Sequence, residues 1–165
     1  MLIDIINRLK QITMNIIKKI TILLLSAAAL VSCAEKEEPI VYLDVNANNI
    51  AGSWKLVEWN GAALDPDTYM YVNFVRNDRT FTIYQNIDSF SNVPHVATGA
   101  YYIETDVELG AIIRGSYDYD SGDWAHRYVV TELTPTGMKW TARDNAAYVQ
   151  IFERVDAIPV APEEE

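Results

Sequence analysis

The densest set of carboxylates in the chain is Asp118-Tyr119-Asp120-Ser121-Gly122-Asp123. Oxygen ligands crowded into six residues are what a calcium loop offers, but such a loop needs Gly at its sixth place and a bidentate Glu at its twelfth. Here Gly122 stands fifth and Val129 twelfth, so a polar hairpin turn is the better reading. His95 and His126 lie 31 residues apart, without the His-Glu-x-x-His spacing or the cysteine partners of a zinc site. No Gly-x-Ser-x-Gly elbow is present to raise a nucleophilic serine, and no phosphate loop or dinucleotide fingerprint occurs. Nothing lifts a glycosidase-type carboxylate pair above background. The expectation is a non-catalytic protein with no metal and no cofactor, and a hydrolase built from scattered carboxylates is the weakest alternative.

The aromatic side chains are the other candidates. All 18 follow Cys33. Strand alternation places Trp59, Tyr84, Tyr102, Tyr117 and Tyr119 opposite the expected core or in loops. Exposed amphipathic rings suit flat contacts with sugars or protein partners, although Tyr is also a good strand former in its own right.

These side chains must be carried by a single domain, since the chain has 165 residues, half of them apolar. Thirteen basic against 23 acidic groups give a formal charge of −10, which leaves no basic face for DNA or RNA. A single cysteine forms no internal disulfide.

Residues 14–33 have a secretion signal's layout: Met-Asn-Ile-Ile-Lys-Lys, twelve almost wholly apolar residues from Ile20 to Val31, then Ser32-Cys33. Twelve helical residues span only about 18 Å, short of the roughly 30 Å hydrocarbon layer. The segment before Met14 would make the charged leader abnormally long, so translation is expected to start at Met14. Leu30-Val31-Ser32-Cys33 resembles the lipobox of bacterial lipoproteins. The resemblance implies removal of residues 1–32, lipid on Cys33, and an outer-membrane lipoprotein of the bacterial cell envelope held to the membrane by that lipid. Ala34-Glu-Lys-Glu-Glu-Pro39 resembles the signal some Gram-negative lipoproteins use for display on the cell surface; a solvated acidic linker is the other reading. The mature chain of 133 residues carries nine basic and 22 acidic groups, a charge of −13, so anionic headgroups repel the body and only the lipid holds it.

Residues 33–49 are expected to form the lipidated Cys and an acidic tether, reaching at most about 55 Å when extended, with Val41 to Val45 as a short edge strand. The folded domain is expected over 50–155 and a loose acidic tail over 156–165. Within the domain, eight β-forming runs are bounded by turn residues: 53–59, 69–75, 80–86, 97–104, 111–115, 124–131, 138–143 and 147–154. Within each run alternation puts one set on a shared face: Met138, Trp140 and Ala142 in one run, Trp124, His126, Tyr128 and Val130 in another, and Phe81, Ile83 and Gln85 in a third. One wet face and one core face, with two sheet edges to hide, predict an all-β, eight-stranded antiparallel up-and-down barrel. A two-sheet sandwich is the alternative.

Gly52-Ser53-Trp54 on the first strand, Gly99-Ala-Tyr-Tyr102, Tyr128-Val-Val-Thr-Glu-Leu-Thr134 leading into Met138-Lys-Trp140, and the final Phe152-Glu-Arg154 together resemble the lipocalin-like domain of bacterial lipoproteins. The resemblance implies a barrel closed at one end, where Trp54 packs beneath Arg154 in a structural pair. It also implies an apolar-ligand pocket, lined by Trp54, Leu56, Phe74, Phe81, Ile83, Tyr101, Tyr128, Trp140, Tyr148 and Phe152. About 13 residues per strand and turn would make this barrel shallow, and a small eight-stranded barrel holds at most one small ligand or fills with side chains. Two functions follow as expectations for a monomer. One is a lipid-anchored protein taking a small apolar ligand at the open end. The other is a surface module binding glycan or protein through exposed aromatics.

Overall fold

The computed structural model describes residues 39–87 and 93–159, together with residues 3–5, 8, 10, 11, 13 and 14. The chain divides into two units, Met1–Pro39 and Ile40–Glu165. In the first, the described residues up to Met14 are helical. No helix among the described residues is long and apolar enough to cross a membrane. The apolar segment, Cys33 and residues 160–165 lie outside the described residues.

The second unit is an all-β barrel. Its strands are β1 (Gly52–Trp59), β2 (Ala62–Ala63), β3 (Met70–Val75), β4 (Thr80–Gln85), β5 (His95–Asp106), β6 (Gly110–Tyr117), β7 (Tyr128–Thr131), β8 (Gly137–Ala142) and β9 (Asn145–Val155). Every neighbouring pair is antiparallel, and β1 pairs with β9 to close the sheet. The two residues of β2 only extend the β1 hairpin, so eight strands form the wall, as the sequence predicts. Closure leaves no long unpaired edge.

Period-2 alternation fills the inside. Val72 and Phe74 from β3, Phe81 and Ile83 from β4, and Met138, Trp140 and Ala142 from β8 are all buried, while their neighbours along each strand are less so. The phase of β1 changes along its length. It registers Leu56 with Phe152 but Glu58 with Ile151, so Val57 is an extra residue. This bulge turns Trp59 inward, against the expectation that it lies opposite the core: its indole meets the Tyr148 ring at 5.5 Å. Tyr117 likewise packs on the core, 5.7 Å from Phe81, rather than standing free of it.

Two further expectations are corrected. The run 124–131 is a strand only from Tyr128; Trp124 leaves the wall and folds over Gly115. A Cβ on Gly115 would stand 2.2 Å from the Trp124 indole, so glycine is required there by packing. The tether is also shorter than 34–49. Asn46 caps a one-turn helix, α1 (Ala47–Ile50), whose Ala47 and Ile50 are buried, and the Leu43 amide donates to the Leu133 carbonyl at 2.8 Å. No strand forms over 41–45, because this segment covers the closed end of the barrel instead of joining an edge.

Candidate functional site

Nine of the ten residues expected around a ligand, Trp54, Leu56, Phe74, Phe81, Ile83, Tyr101, Tyr128, Trp140 and Phe152, are buried in the core, and Tyr148 is half-buried. They pack against one another. Trp140 meets Phe152 at 4.7 Å and Tyr128 at 5.2 Å between ring centroids, and Phe74 meets Tyr101 at 4.9 Å. Trp124 adds a plug at the open end, 5.0 Å from Phe81 and 5.6 Å from Trp140. Aromatic pairs at such distances contribute beyond their buried area. The interior space assigned to a ligand is thus occupied by rings.

At the closed end the Arg154 guanidinium lies 4.0 Å from the centre of the Trp54 ring. Its Nε donates to the Pro135 carbonyl at 2.7 Å, Nη1 to Ala51 at 2.6 Å and Nη2 to Asn49 at 2.7 Å. The Trp54 Nε1 donates to the Ile50 carbonyl at 2.7 Å. Gly52 adopts φ +111°, and a Cβ there would lie 2.7 Å from Arg154 Nη1, so the glycine of Gly-x-Trp serves both the backbone turn and the arginine's approach.

The polar groups at the open end are committed. Asp118 Oδ2 accepts from Thr98 Oγ1 at 2.6 Å, and Tyr119, Asp120 and Gly122 take left-handed conformations in a tight hairpin turn. Among the described residues no cluster of three or more His, Cys, Asp or Glu could hold a metal ion. His126 Nδ1 lies 2.9 Å from Asp144 Oδ1. Beside it, Arg114 pairs with Glu104 and Arg143 with Asp106, so the cations flanking Trp124 are matched. Burial, reinforced by the neighbouring Tyr148, raises the Tyr128 hydroxyl far above the usual phenol range.

A different arrangement occupies the outer wall. Lys55, Tyr71, Tyr84 and Val96 are the outward alternates of buried or half-buried positions on β1, β3, β4 and β5. They floor a cleft of about 320 Å³ whose sides are Pro66, Asp67, Thr68 and Tyr69 on one hand and Pro94 and His95 on the other. Tyr71 and Tyr84 are directly opposed across β3 and β4, and the Tyr69 and Tyr71 rings stand 5.9 Å apart. One buried side chain shapes the near side. Asn86 Oδ1 accepts from the Tyr69 amide at 2.8 Å while its Nδ2 donates to the Asp67 carbonyl at 2.8 Å. Replacing Asn86 with Ala leaves both groups without this partner and is expected to cost about 1–3 kcal/mol. Denaturant titration measures that loss, and hydrogen exchange at the Tyr69 amide should accelerate with it.

The model of the lipocalin-like domain family matches residues 50–140. The chain belongs to the lipocalin-like domain family. A crystal structure of a lipocalin-like protein from Bacteroides uniformis is similar at 16% identity and a TM-score of 0.48, covering 65% of this chain and 99% of that one. No curated protein matches.

The lipocalin-like barrel therefore presents three places: a ring-filled interior, a cation–π pair at the closed end and a tyrosine cleft outside. Tyr84 could be read from the sequence as an outward ring. Tyr69 and Tyr71 share one face through the Tyr-x-Tyr spacing, but the ambiguous phase of the run 69–75 does not say which face. Asn86 and the walls from Pro66 and Pro94 carry no sequence signal, because their roles depend on how loops fold back onto the wall.

Proposed function

We propose that this lipocalin-like domain is a non-catalytic, lipid-anchored binding protein of the bacterial cell envelope that takes a neutral glycan in its exterior tyrosine cleft, the barrel serving as scaffold. The carrying observation is the cleft itself: Tyr69, Tyr71 and Tyr84 line it, with the polar side chains of Lys55 and Asp67 beside them. A sugar has an apolar C–H face and a rim of hydroxyls, which suits that lining. One cation and one carboxylate balance within the cleft, while the mature body carries −13, so an acidic glycan would be repelled.

Titrating a panel of neutral oligosaccharides by calorimetry tests the assignment. Saturable binding that falls at least tenfold in Tyr71→Ala and in Tyr84→Ala, with both variants still folded, is the expected result. Binding that survives both substitutions, or none across the panel, contradicts it.

Anchoring at Cys33 draws support from the lipobox resemblance. The nine residues from Ala34 to Tyr42 would span about 30 Å if extended. In the native host, Cys33→Ser is expected to move the protein wholly out of the membrane fraction and abolish incorporation of labelled palmitate. Unchanged partition would remove the anchor from this account.

One observation favours a second reading, a small ligand inside the barrel. The Nε1 atoms of Trp124 and Trp140 and the Oε1 of Gln150 are buried without a hydrogen-bond partner, and each unpaired group carries a desolvation penalty. A molecule entering past Trp124 would supply partners.

A further inference from the structure

The cleft does not end at β5. Tyr71 on β3 pairs in register with Tyr84 on β4, and Tyr84 with Val96 on β5, so three outward side chains form one row running across the strands. Val96 is 59% exposed. On its far side lies a second groove of about 440 Å³, which shares His95 and Val96 with the cleft and continues past Thr98 to Asp118 and Tyr119. The row from Tyr71 to Val96 covers about 10 Å at the usual strand spacing, and one further spacing reaches the turn that carries Tyr119, about 14 Å in all.

That turn holds a ring in the open. The Asp118 amide donates to the Thr98 carbonyl at 2.9 Å and Asp118 Oδ2 accepts from Thr98 Oγ1 at 2.6 Å, which ties the turn to β5. The Tyr117 amide donates to the Gly122 carbonyl at 2.7 Å and closes it from the other side. Tyr119 takes φ +60° and stands 97% exposed. A tyrosine is uncommon in that left-handed region, where glycine or asparagine sits at less cost, and at that exposure its ring gains almost no contact in return. Packing therefore does not account for Tyr119, whereas a ring on a fixed backbone offers contact area to a ligand at little entropic cost. No Lys or Arg lines the second groove, and Asp118 does, so its charge, like that of the body, turns acidic ligands away.

We propose that cleft and groove are one platform for a linear neutral oligosaccharide lying across β3, β4 and β5, with Tyr119 as the far contact that favours longer chains. This extension rests on the glycan reading of the cleft. Tyr69, Tyr71 and Tyr84 hold one end of the chain, Val96 is the saddle over which it passes, and Tyr119 receives a sugar ring at the other end. Affinity then depends on chain length, because a disaccharide seated on the tyrosines of the cleft falls short of the turn.

The test is a ladder of neutral linear glucans and xylans, from disaccharide to hexasaccharide, titrated by calorimetry into the native chain and into Tyr119→Asn. Asparagine tolerates the left-handed backbone, so this variant removes the ring and keeps the turn. Both chains are expected to bind the shortest members alike, while the native chain binds the hexasaccharide about fivefold tighter than the variant does, the worth of one aromatic contact. In 3-fluorotyrosine-labelled protein the disaccharide should shift Tyr71 and Tyr84 but not Tyr119, and the hexasaccharide should shift Tyr119 as well. Tyr102, exposed on the wall beneath Arg114, serves as the unmoved reference. Equal hexasaccharide affinity in the two chains overturns the extension and leaves the glycan reading standing. Absence of binding by every member of the ladder removes the glycan reading and the extension with it.

Discussion

Replacing Arg154 with Ala is expected to lower the folding stability of the chain by about 2–4 kcal/mol, a large share of the 5–15 kcal/mol typical of a domain. The guanidinium gathers three carbonyls from two segments: Asn49 and Ala51 at the end of α1, and Pro135 between β7 and β8. It also covers the face of Trp54, a contact worth about 0.5–2 kcal/mol. Hydrogen bonds to a charged group are worth about 1.5–3 kcal/mol each, but they are not additive, and water reaches the half-buried guanidinium. The expected figure is therefore well below their sum. Lysine carries the charge without the planar fork, so Arg154→Lys should recover less than half of the loss. Denaturant titration of the three proteins decides the point. A loss under about 1 kcal/mol in Arg154→Ala would mean that α1 and the β7–β8 turn are held by other contacts.

The second large effect is expected at the open end. Trp124 is 9% exposed, fills the space over Gly115 and touches Phe81, Trp140 and Tyr128. Truncating it to Ala should cost about 3–4 kcal/mol through lost transfer energy and an unfilled cavity. The cavity would open toward the mouth rather than remain sealed, since Trp124 comes from the connection between β6 and β7. The variant should therefore gain saturable binding of a neutral naphthylamine dye, with enhanced fluorescence, while the native protein shows none. Equal binding by the native protein would mean that Trp124 swings aside on its own, and would favour the interior-ligand reading.

The sequence makes the barrel legible because its strands alternate cleanly: β3, β4 and β8 each send every second side chain inward, and tight turns between them permit only antiparallel neighbours. What escaped is local. One extra residue in β1 turns Trp59 from the outer face to the inner, and a bulge leaves no compositional mark. Trp124 belongs by alternation with Tyr128 and Val130, and it does lie inside, but by folding back from a loop over a glycine that leaves room for it. The segment 43–49 looks like linker because it is polar, yet Ile50 and Ala47 reach the core and Asn46 caps the turn that carries them. The candidate site was half visible. Tyr84 declares an outward ring through strand parity; Tyr69 and Tyr71 do not, because the run 69–75 is apolar or aromatic on both faces and its phase is ambiguous, and Asn86 is an unremarkable residue after a strand until its amide is seen holding Asp67 and Tyr69 together.

If the barrel is a filled scaffold, recognition on its outer wall must leave the interior rings undisturbed. The most direct test follows two sets of NMR signals in one titration of the native protein with a neutral oligosaccharide: the fluorinated rings of Tyr69, Tyr71 and Tyr84, and the indole N–H groups of Trp124 and Trp140. Saturable shifts confined to the three tyrosines are expected. Indole signals that move while the tyrosines stay fixed would place the ligand inside the barrel and contradict this expectation.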